Sequence, residues 1–210
     1  VQASEWAFLP GFPALVKAFA FTGLEWKILA PVLATLLGAC LALVMFRIFT
    51  AKLNDHQAFW AVVLFNLSPA SPILQTGYAE SLGLLLMALA LYYWITGRFW
   101  LVLLSMTALA FTRPGLAAFA LAFAVVWVYR FAQARMGGRG FGWLEALKLG
   151  GLVLAAVLLN LAWPLVAALN TGRYDAYVAT ELAWRSSYPF GGGGLNPVMP
   201  WFSSAEYFIG

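Results

Sequence analysis

Long apolar runs with very few charges dominate this sequence. The longest, residues 26–49, contains only Lys27 and Arg47 as charged residues. Because a helix needs roughly 20 apolar residues to cross a bilayer, this run predicts a membrane-spanning helix. The runs are continuous rather than alternating, so they favour helices over the strands of a membrane barrel. The sequence therefore predicts an all-α fold, a polytopic transmembrane helical bundle.

The composition agrees, because the chain has too few polar residues to cover a water-facing surface. Charged residues make up 10% of the chain and apolar residues 63%, whereas about 25% of residues are charged in soluble domains. The net charge of +4 is small and scattered, without the basic stripe typical of nucleic-acid binding. We therefore expect the lipid bilayer, and no nucleic acid, as a partner.

Six apolar runs are candidates for spanning or partly spanning helices, separated by prolines, glycines and short polar stretches. Their approximate bounds are residues 26–49, 58–67, 79–96, 99–112, 115–131 and 146–169. Two of them, 58–67 and 99–112, are too short to cross a flat bilayer alone. We predict an outer interfacial segment over residues 1–25, the bundle over 26–169, and an outer aromatic-rich loop or interfacial segment over 170–210.

Basic residues predict which face of the bundle lies in the cytoplasm. The predicted cytoplasmic face carries Arg47, Lys52, Arg98, Arg130, Arg135, Arg139 and Lys148, and the opposite face Lys17, Lys27, Arg113, Arg173 and Arg185. Six of the eight acidic residues fall on the second, non-cytosolic face, Glu80 among them. We therefore expect the chemistry of the protein on the non-cytosolic face.

Glu80 and Arg113 stand at the ends of apolar runs on this predicted outer face. An ionisable side chain at the edge of the hydrocarbon is costly and suggests a functional site. Both also have a simpler explanation, since the helix dipole favours Glu80 in a first turn and Arg113 could reach the interface as a snorkelling cation. In a site, Glu80 would bind a sugar hydroxyl, orient Arg113 or help to hold a metal-bound phosphate. Arg113 would clamp a phosphate with its planar fork of donors.

Two aromatic-rich segments flank the predicted bundle. The first covers residues 5–17, where Pro10 and Pro13 resist a regular helix. This segment is either an interfacial belt or a platform for a lipid tail or sugar face. Residues 171–210 combine aromatic and acidic side chains. That mixture suits carbohydrate binding and an amphipathic interfacial helix equally.

Three blocks of sequence, in order along the chain, carry a resemblance to a known family. They read A-F-L-P-G-F-P over residues 7–13, N-L-S-P-A-S…Y-A-E-S over 66–81 and A-F-T-R-P-G over 110–115. The chain resembles the GPI mannosyltransferase family of the PIG-V type, within the C-type polytopic membrane glycosyltransferases. The blocks are similar to that family's F-x-P-x-x-P, N-P-A-S…Y-S-E-S and A-x-x-T-R-x-x-G segments. Ala183-Trp184 with Pro189-Phe190 is more loosely similar to its later A-W…P-F pair.

The resemblance implies a membrane glycosyltransferase that transfers mannose from a polyprenyl-phosphate mannose donor to a lipid-linked or glycolipid acceptor, with inversion. It implies an acidic catalytic residue in a W-D-x-x-Y-like context, which we expect upstream of Val1. We thus expect a fragment of a bacterial relative in the plasma membrane, or of an enzyme of the endoplasmic reticulum. No cofactor is certain, and only a divalent metal ion stays open. The expected substrate-binding residues are Tyr78, Glu80, Ser81, Arg113, Phe12, Pro13 and Trp184.

A transporter or flippase for a lipid-linked sugar explains broken helices and charges at membrane depth equally well. Such a transporter should have related halves, and the sequence has no clear internal repeat. A purely structural subunit of a membrane complex is a third interpretation, although a scaffold would not need Glu80 and Arg113 on one face. An acidic residue in an outer loop upstream would favour the enzyme, and a further inverted set of helices would favour the transporter.

Overall fold

The computed structural model describes residues 5–137 and 140–186, together with Phe202 and Glu206. The described residues form an all-α fold and contain no strand. They divide into two compact units. The larger one, Pro10–Asn160, is called the main bundle below, and the smaller one, Val1–Leu9 with Leu161–Gly210, is called the aromatic unit.

Helices account for most of the described residues in both units. The described part of the main bundle contains α1 (Gly11–Ala18), α2 (Trp26–Phe49), α3 (Asp55–Asn66), α4 (Glu80–Ile95), α5 (Phe99–Ala110), α6 (Leu116–Arg135) and α7 (Trp143–Asn160). Short 3₁₀ helices lie at Ala20–Thr22 and Ser71–Gln75. The aromatic unit contains a 3₁₀ turn at Glu5–Ala7, α8 (Ala162–Thr171) and α9 (Ala176–Ser186).

The predicted helical bundle is confirmed, and α2 has the bounds expected from its apolar run. The helix α3 begins three residues earlier than predicted. Its start is fixed by a capping box, in which the Asn54 side chain accepts from the backbone N–H of Gln57 at 2.9 Å and the Gln57 side chain accepts from Asn54. Three helical segments are long and apolar enough to cross a membrane, namely Trp26–Phe49, Leu116–Arg135 and Trp143–Thr171.

The helix α2 is apolar on every side. Leu33 and Leu41 face the interior of the main bundle and are buried, whereas Leu36 and Leu43 face outwards and are 58% and 69% exposed. A helix that is hydrophobic all round belongs in a large protein core or in a membrane. Since only six of its 24 residues are buried, a lipid environment accounts for this apolar surface better than water does.

The helix predicted over residues 146–169 lies within one apolar helical segment, Trp143–Thr171, which is interrupted at Leu161 between α7 and α8. Pro164 stands at the third position of α8. Proline has no N–H and its ring clashes with the carbonyl four residues earlier, which here belongs to Asn160. The helical hydrogen bond to Asn160 O is therefore missing, which accounts for the interruption at Leu161.

The expectation that Pro10 and Pro13 prevent a regular helix is wrong. Pro10 caps the N-terminus of α1, and Pro13 is its third helical residue. The first N–H groups of a helix have no partner within it, so proline loses no helical hydrogen bond there. The first bond of the ladder runs from the N–H of Ala14 to Pro10 O at 2.8 Å.

The residue boundaries of the two compact units also differ from those of the three predicted segments. Residues 10–25, expected to be interfacial, belong to the main bundle, and residues 161–169, expected in the bundle, belong to the aromatic unit. The placement of residues 1–25 and 170–210 outside the membrane stays a prediction.

A tight hairpin joins α4 to α5 and determines which residues share an end of the main bundle. Gly97 makes the turn with φ 72°, a left-handed conformation that glycine adopts without a steric penalty. In the interior, Met106 and Leu109 of α5 are fully buried with Phe123 of α6. The ring of Trp94 meets the Phe123 ring edge-on at 5.0 Å.

The aromatic unit is held by ring contacts and polar bonds. Trp163 Nε1 donates to the backbone O of Trp6 at 3.1 Å, and the two indole rings lie 5.6 Å apart. Arg173 donates from Nε and Nη2 to Asp175 at 3.1 and 2.8 Å. The hydrogen bond from this guanidinium holds the pKa of the Asp175 carboxyl below its ordinary value, so that this carboxylate keeps its charge to a lower pH.

Candidate functional site

Glu80 and Arg113 lie at one end of the main bundle and form an ion pair. Glu80 is the first residue of α4, and Arg113 follows the last turn of α5, where its N–H still bonds to Leu109 O at 3.0 Å. Gly97 lies roughly midway between them in sequence. Because α4 and α5 are antiparallel across this turn, the start of one helix and the end of the other meet.

The pair joins a shielded carboxylate to a half-exposed cation. Nη1 of Arg113 donates to Oε1 of Glu80. The side chain of Glu80 is 21% exposed and that of Arg113 is 45% exposed. Oε2 of Glu80 is buried and has no hydrogen-bond partner among the described residues, although a buried acceptor of this kind is normally paired. Within the described residues, the remaining N–H groups of Arg113 bond to nothing, so they are available to an anion.

Glycine at position 83 lets the stem of Arg113 lie directly on α4. A Cβ at Gly83 would stand 3.0 Å from Cδ and 3.2 Å from Cγ of Arg113, which is closer than ordinary van der Waals contact. Gly83 is three residues after Glu80 and so lies on the same helix face. The missing side chain thus sets how closely Arg113 can approach the carboxylate.

A second glycine fixes the turn that carries Arg113. The N–H of Gly11, the first residue of α1, donates to Phe111 O at 2.6 Å. A Cβ at Gly11 would lie 2.7 Å from Phe111 O and closer still to Oγ1 of Thr112. Thr112 is itself buried and donates to Ala108 O at 2.8 Å. The start of α1 is therefore locked onto the two residues before Arg113.

Ser81 connects the start of α4 to the preceding 3₁₀ helix. Its Oγ donates to Leu74 O at 2.7 Å, and the residue is 0% exposed. Gly38 of α2 lies beside this contact, and a Cβ there would stand 3.5 Å from Leu74 O, an ordinary van der Waals distance. Ser81 was expected to bind substrate, but its hydroxyl is covered and already bonded, so in this structure it positions Glu80 instead.

We expect Ser81→Ala to lower the free energy of unfolding by about 1–3 kcal/mol, because Leu74 O would be left buried without a donor. Thermal denaturation of the purified protein in detergent measures this loss. Ser105→Ala is the matched control, because Ser105 Oγ donates to Leu101 O within a single helix and that carbonyl has a backbone partner as well. An equal effect of both substitutions would contradict the role given to Ser81.

The other residues expected to bind substrate differ in exposure. Tyr78 is 64% exposed, two residues before Glu80. Pro13 is exposed on α1, whereas Phe12 is 2% exposed and packs in the core with Val16 and its neighbours on α2. Phe12 is therefore a packing residue. Trp184 belongs to the aromatic unit, where its ring meets Phe8 edge-on at 5.2 Å.

The sequence interpretation missed Gly11 and Gly83. Both glycines lie in or beside the blocks that carry the family resemblance, but a glycine gives no sign in the sequence of what its missing side chain leaves room for. Pro189 and Phe190, which carry the weakest part of that resemblance, lie outside the described residues.

A metal ion finds little support in this arrangement. Among the described residues, no group of three or more His, Cys, Asp and Glu side chains lies together in a way that could hold one. Glu80 offers a single unpaired carboxylate oxygen, whereas magnesium is usually bound by one or two carboxylates together with substrate phosphates.

Comparison of the chain with models of protein families, with curated proteins and with solved structures gave no match. The geometry of the main bundle therefore defines the class only as far as an all-α bundle with segments able to cross a membrane and a charged pair at one end.

Proposed function

We propose that the chain is part of a multi-pass membrane glycosyltransferase that takes mannose from polyprenyl-phosphate mannose and transfers it to a lipid-linked or glycolipid acceptor. One observation carries the proposal: Arg113 is half exposed at the end of an apolar bundle, fixed by Glu80 and with N–H donors to spare. The resemblance to the PIG-V type of mannosyltransferase supplies the sugar and the donor class.

The position of Arg113 suits the phosphate of a lipid-linked sugar. A polyprenyl chain lies in the hydrocarbon and its phosphate at the interface, which is the depth of residues that end membrane helices. Arg113 follows α5 and precedes α6, and α6 is long and apolar enough to span a membrane. A guanidinium offers parallel N–H groups that match two phosphate oxygens.

Arg113 would act on the leaving group. The acceptor hydroxyl oxygen forms a bond to the anomeric carbon of mannose, and the bond from that carbon to the phosphate oxygen breaks. The electron pair stays on the polyprenyl phosphate, where Arg113 stabilises the growing negative charge. A base must take the hydroxyl proton, and the acidic residue that the family resemblance implies upstream of Val1 would be that base.

Glu80 would have two tasks at this site. Oε1 holds the guanidinium in place, so that less side-chain entropy is lost when the phosphate binds. Oε2 is an acceptor without a donor, and a sugar hydroxyl of the donor would supply one. Tyr78 is exposed nearby in sequence and would stack on the sugar or close the site.

We expect membranes that contain the full-length protein to form mannosylated lipid from labelled polyprenyl-phosphate mannose, and not from the water-soluble nucleotide sugar when polyprenyl-phosphate mannose is absent. Thin-layer chromatography of the extracted lipids measures the product. Movement of the intact donor across a vesicle bilayer without any transfer would contradict the proposal and favour a flippase.

A further inference from the structure

A pair of adjoining cavities lies at the opposite end of the main bundle from Glu80 and Arg113. One, of about 620 Å³, opens between the end of α4, α6 and the first turns of α7. The other, of about 750 Å³, opens between the start of α5 and α7. Phe99 and Lys148 line both, so the two spaces meet at these side chains.

The walls of the cavities carry an excess of positive charge. Among the described residues, the cavities are lined by the basic Arg98, Arg130 and Lys148 and by one acidic residue, Glu145. Nη1 of Arg130 pairs with Oε1 of Glu145 at 3.3 Å. Arg98 and Lys148 are exposed and form no ion pair with any described residue. Two cations therefore face the cavities without a counter-charge.

The positive charges lie near helix ends at this end of the main bundle. Lys148 is five residues into α7, and Arg130 is five residues from the end of α6, so each stands about 7 Å inside its helix end. Arg98 lies in the turn between α4 and α5. The rest of the lining is largely apolar, with Leu144, Leu147 and Leu152 on α7. Such a cavity offers a cationic rim above apolar walls.

We propose that these cavities bind an anionic glycerophospholipid, with its phosphodiester between Arg98 and Lys148 and its acyl chains along the apolar walls. Basic pockets between membrane helices are suited to such headgroups. Apolar walls favour a lipid over free phosphate, because inorganic phosphate would leave them in contact with water. The site needs the membrane location proposed above, but it does not depend on sugar transfer.

Native mass spectrometry of the full-length protein, released from nanodiscs of equal phosphatidylglycerol and phosphatidylcholine, tests this site. We expect the protein to retain phosphatidylglycerol preferentially. The double variant Arg98→Gln/Lys148→Gln should lose this preference, by roughly fivefold for each removed charge. A companion sample with excess inorganic phosphate separates the two sources of phosphate, and the bound lipid should resist displacement.

The matched control removes two charges from the same end of the main bundle outside the cavities. The C-terminal ends of α2 and α4 lie together. Both helices line the same small space there, α2 with Met45, Ile48 and Phe49 and α4 with Ala88 and Leu91. Arg47→Gln/Lys52→Gln should therefore keep the lipid preference. Equal loss in both double variants, or displacement by inorganic phosphate, would overturn the proposal. Arg113→Gln should leave lipid retention unchanged, so that failure of the lipid site and failure of the transferase proposal can be told apart.

Discussion

Replacing Arg113 with alanine is expected to lower mannosyl transfer by roughly 100-fold or more, the size of effect that follows when one donor to a developing negative charge is removed. Nη1 of Arg113 is held by Glu80 while its other N–H groups stay available. The alanine variant loses the cation that would stabilise the negative charge on the leaving phosphate. Initial rates of mannosyl-lipid formation in membranes, normalised to the amount of protein, measure the effect.

Two further substitutions separate charge from geometry at this position. Arg113→Lys keeps the positive charge but not the planar fork of donors, so we expect a smaller loss than in the alanine variant. Glu80→Gln keeps the shape of the carboxylate and removes its charge. We expect it to weaken the hold on Arg113 and to raise the donor KM more than it lowers kcat, because positioning of the donor phosphate suffers first.

Lys27→Ala is the control for loss of a paired cation from the main bundle. Lys27 is the second residue of α2, and Glu25 precedes the helix. Nζ of Lys27 pairs with Oε2 of Glu25 at 2.6 Å, and both side chains are largely exposed. An exposed pair of this kind contributes little to stability, and transfer should stay within about twofold of the unaltered protein. Equal transfer by Arg113→Ala and Lys27→Ala, with unaltered denaturation midpoints, would remove Arg113 from the site.

Loss of folding is the competing explanation for a low rate in Arg113→Ala. Removing one partner of a buried ion pair leaves the other uncompensated, which costs about 3–5 kcal/mol. Arg113 is 45% exposed, so solvent screens the remaining carboxylate and the cost should be much smaller. The double variant Glu80→Gln/Arg113→Gln removes both charges together. It should recover stability without recovering transfer.

The meeting of Glu80 and Arg113 could be predicted from the sequence because it depends on few features. Two apolar runs of similar length are joined by a glycine turn at Gly97, and such a hairpin brings the outer ends of its helices together. The bounds of α2 were predictable for a similar reason, since Glu25 and Thr50 flank a continuous apolar run. The position and length of an apolar run can be read from the sequence without knowledge of the tertiary contacts.

The contacts around the pair could not be predicted in this way, because they depend on tertiary packing. Nothing in the sequence next to Ser81 shows that its hydroxyl would be covered and bonded to Leu74 O. Proline was interpreted as a helix breaker at Pro10 and Pro13, where it begins a helix, and was overlooked at Pro164, where it interrupts a helical segment. Its effect depends on its position in the turn, which the residue type does not reveal.

The second large effect is expected at Gly11, where alanine should lower the free energy of unfolding by about 3 kcal/mol. Its Cβ would lie 2.7 Å from Phe111 O and collide with Oγ1 of Thr112. Phe111 O is backbone, so relief requires α1 to move away from the turn. Overpacking of this kind costs about 1–3 kcal/mol, and loss of the 2.6 Å bond from the N–H of Gly11 adds about 0.5–1.5 kcal/mol. The denaturation midpoint in detergent should fall by roughly 6–12 °C.

Gly151→Ala is the matched control, because Gly151 lies inside α7 and a Cβ there would meet nothing within 4 Å. Alanine in a helix interior is favoured over glycine by about 1 kcal/mol, so this variant should keep or raise the midpoint. Gly11→Ala should also lower mannosyl transfer at temperatures where the protein stays folded, since the turn it displaces carries Arg113. A folded Gly11→Ala variant with a normal midpoint would show that α1 can be separated from Phe111 at no cost, and the structural link between the first block and the ion pair would then be wrong.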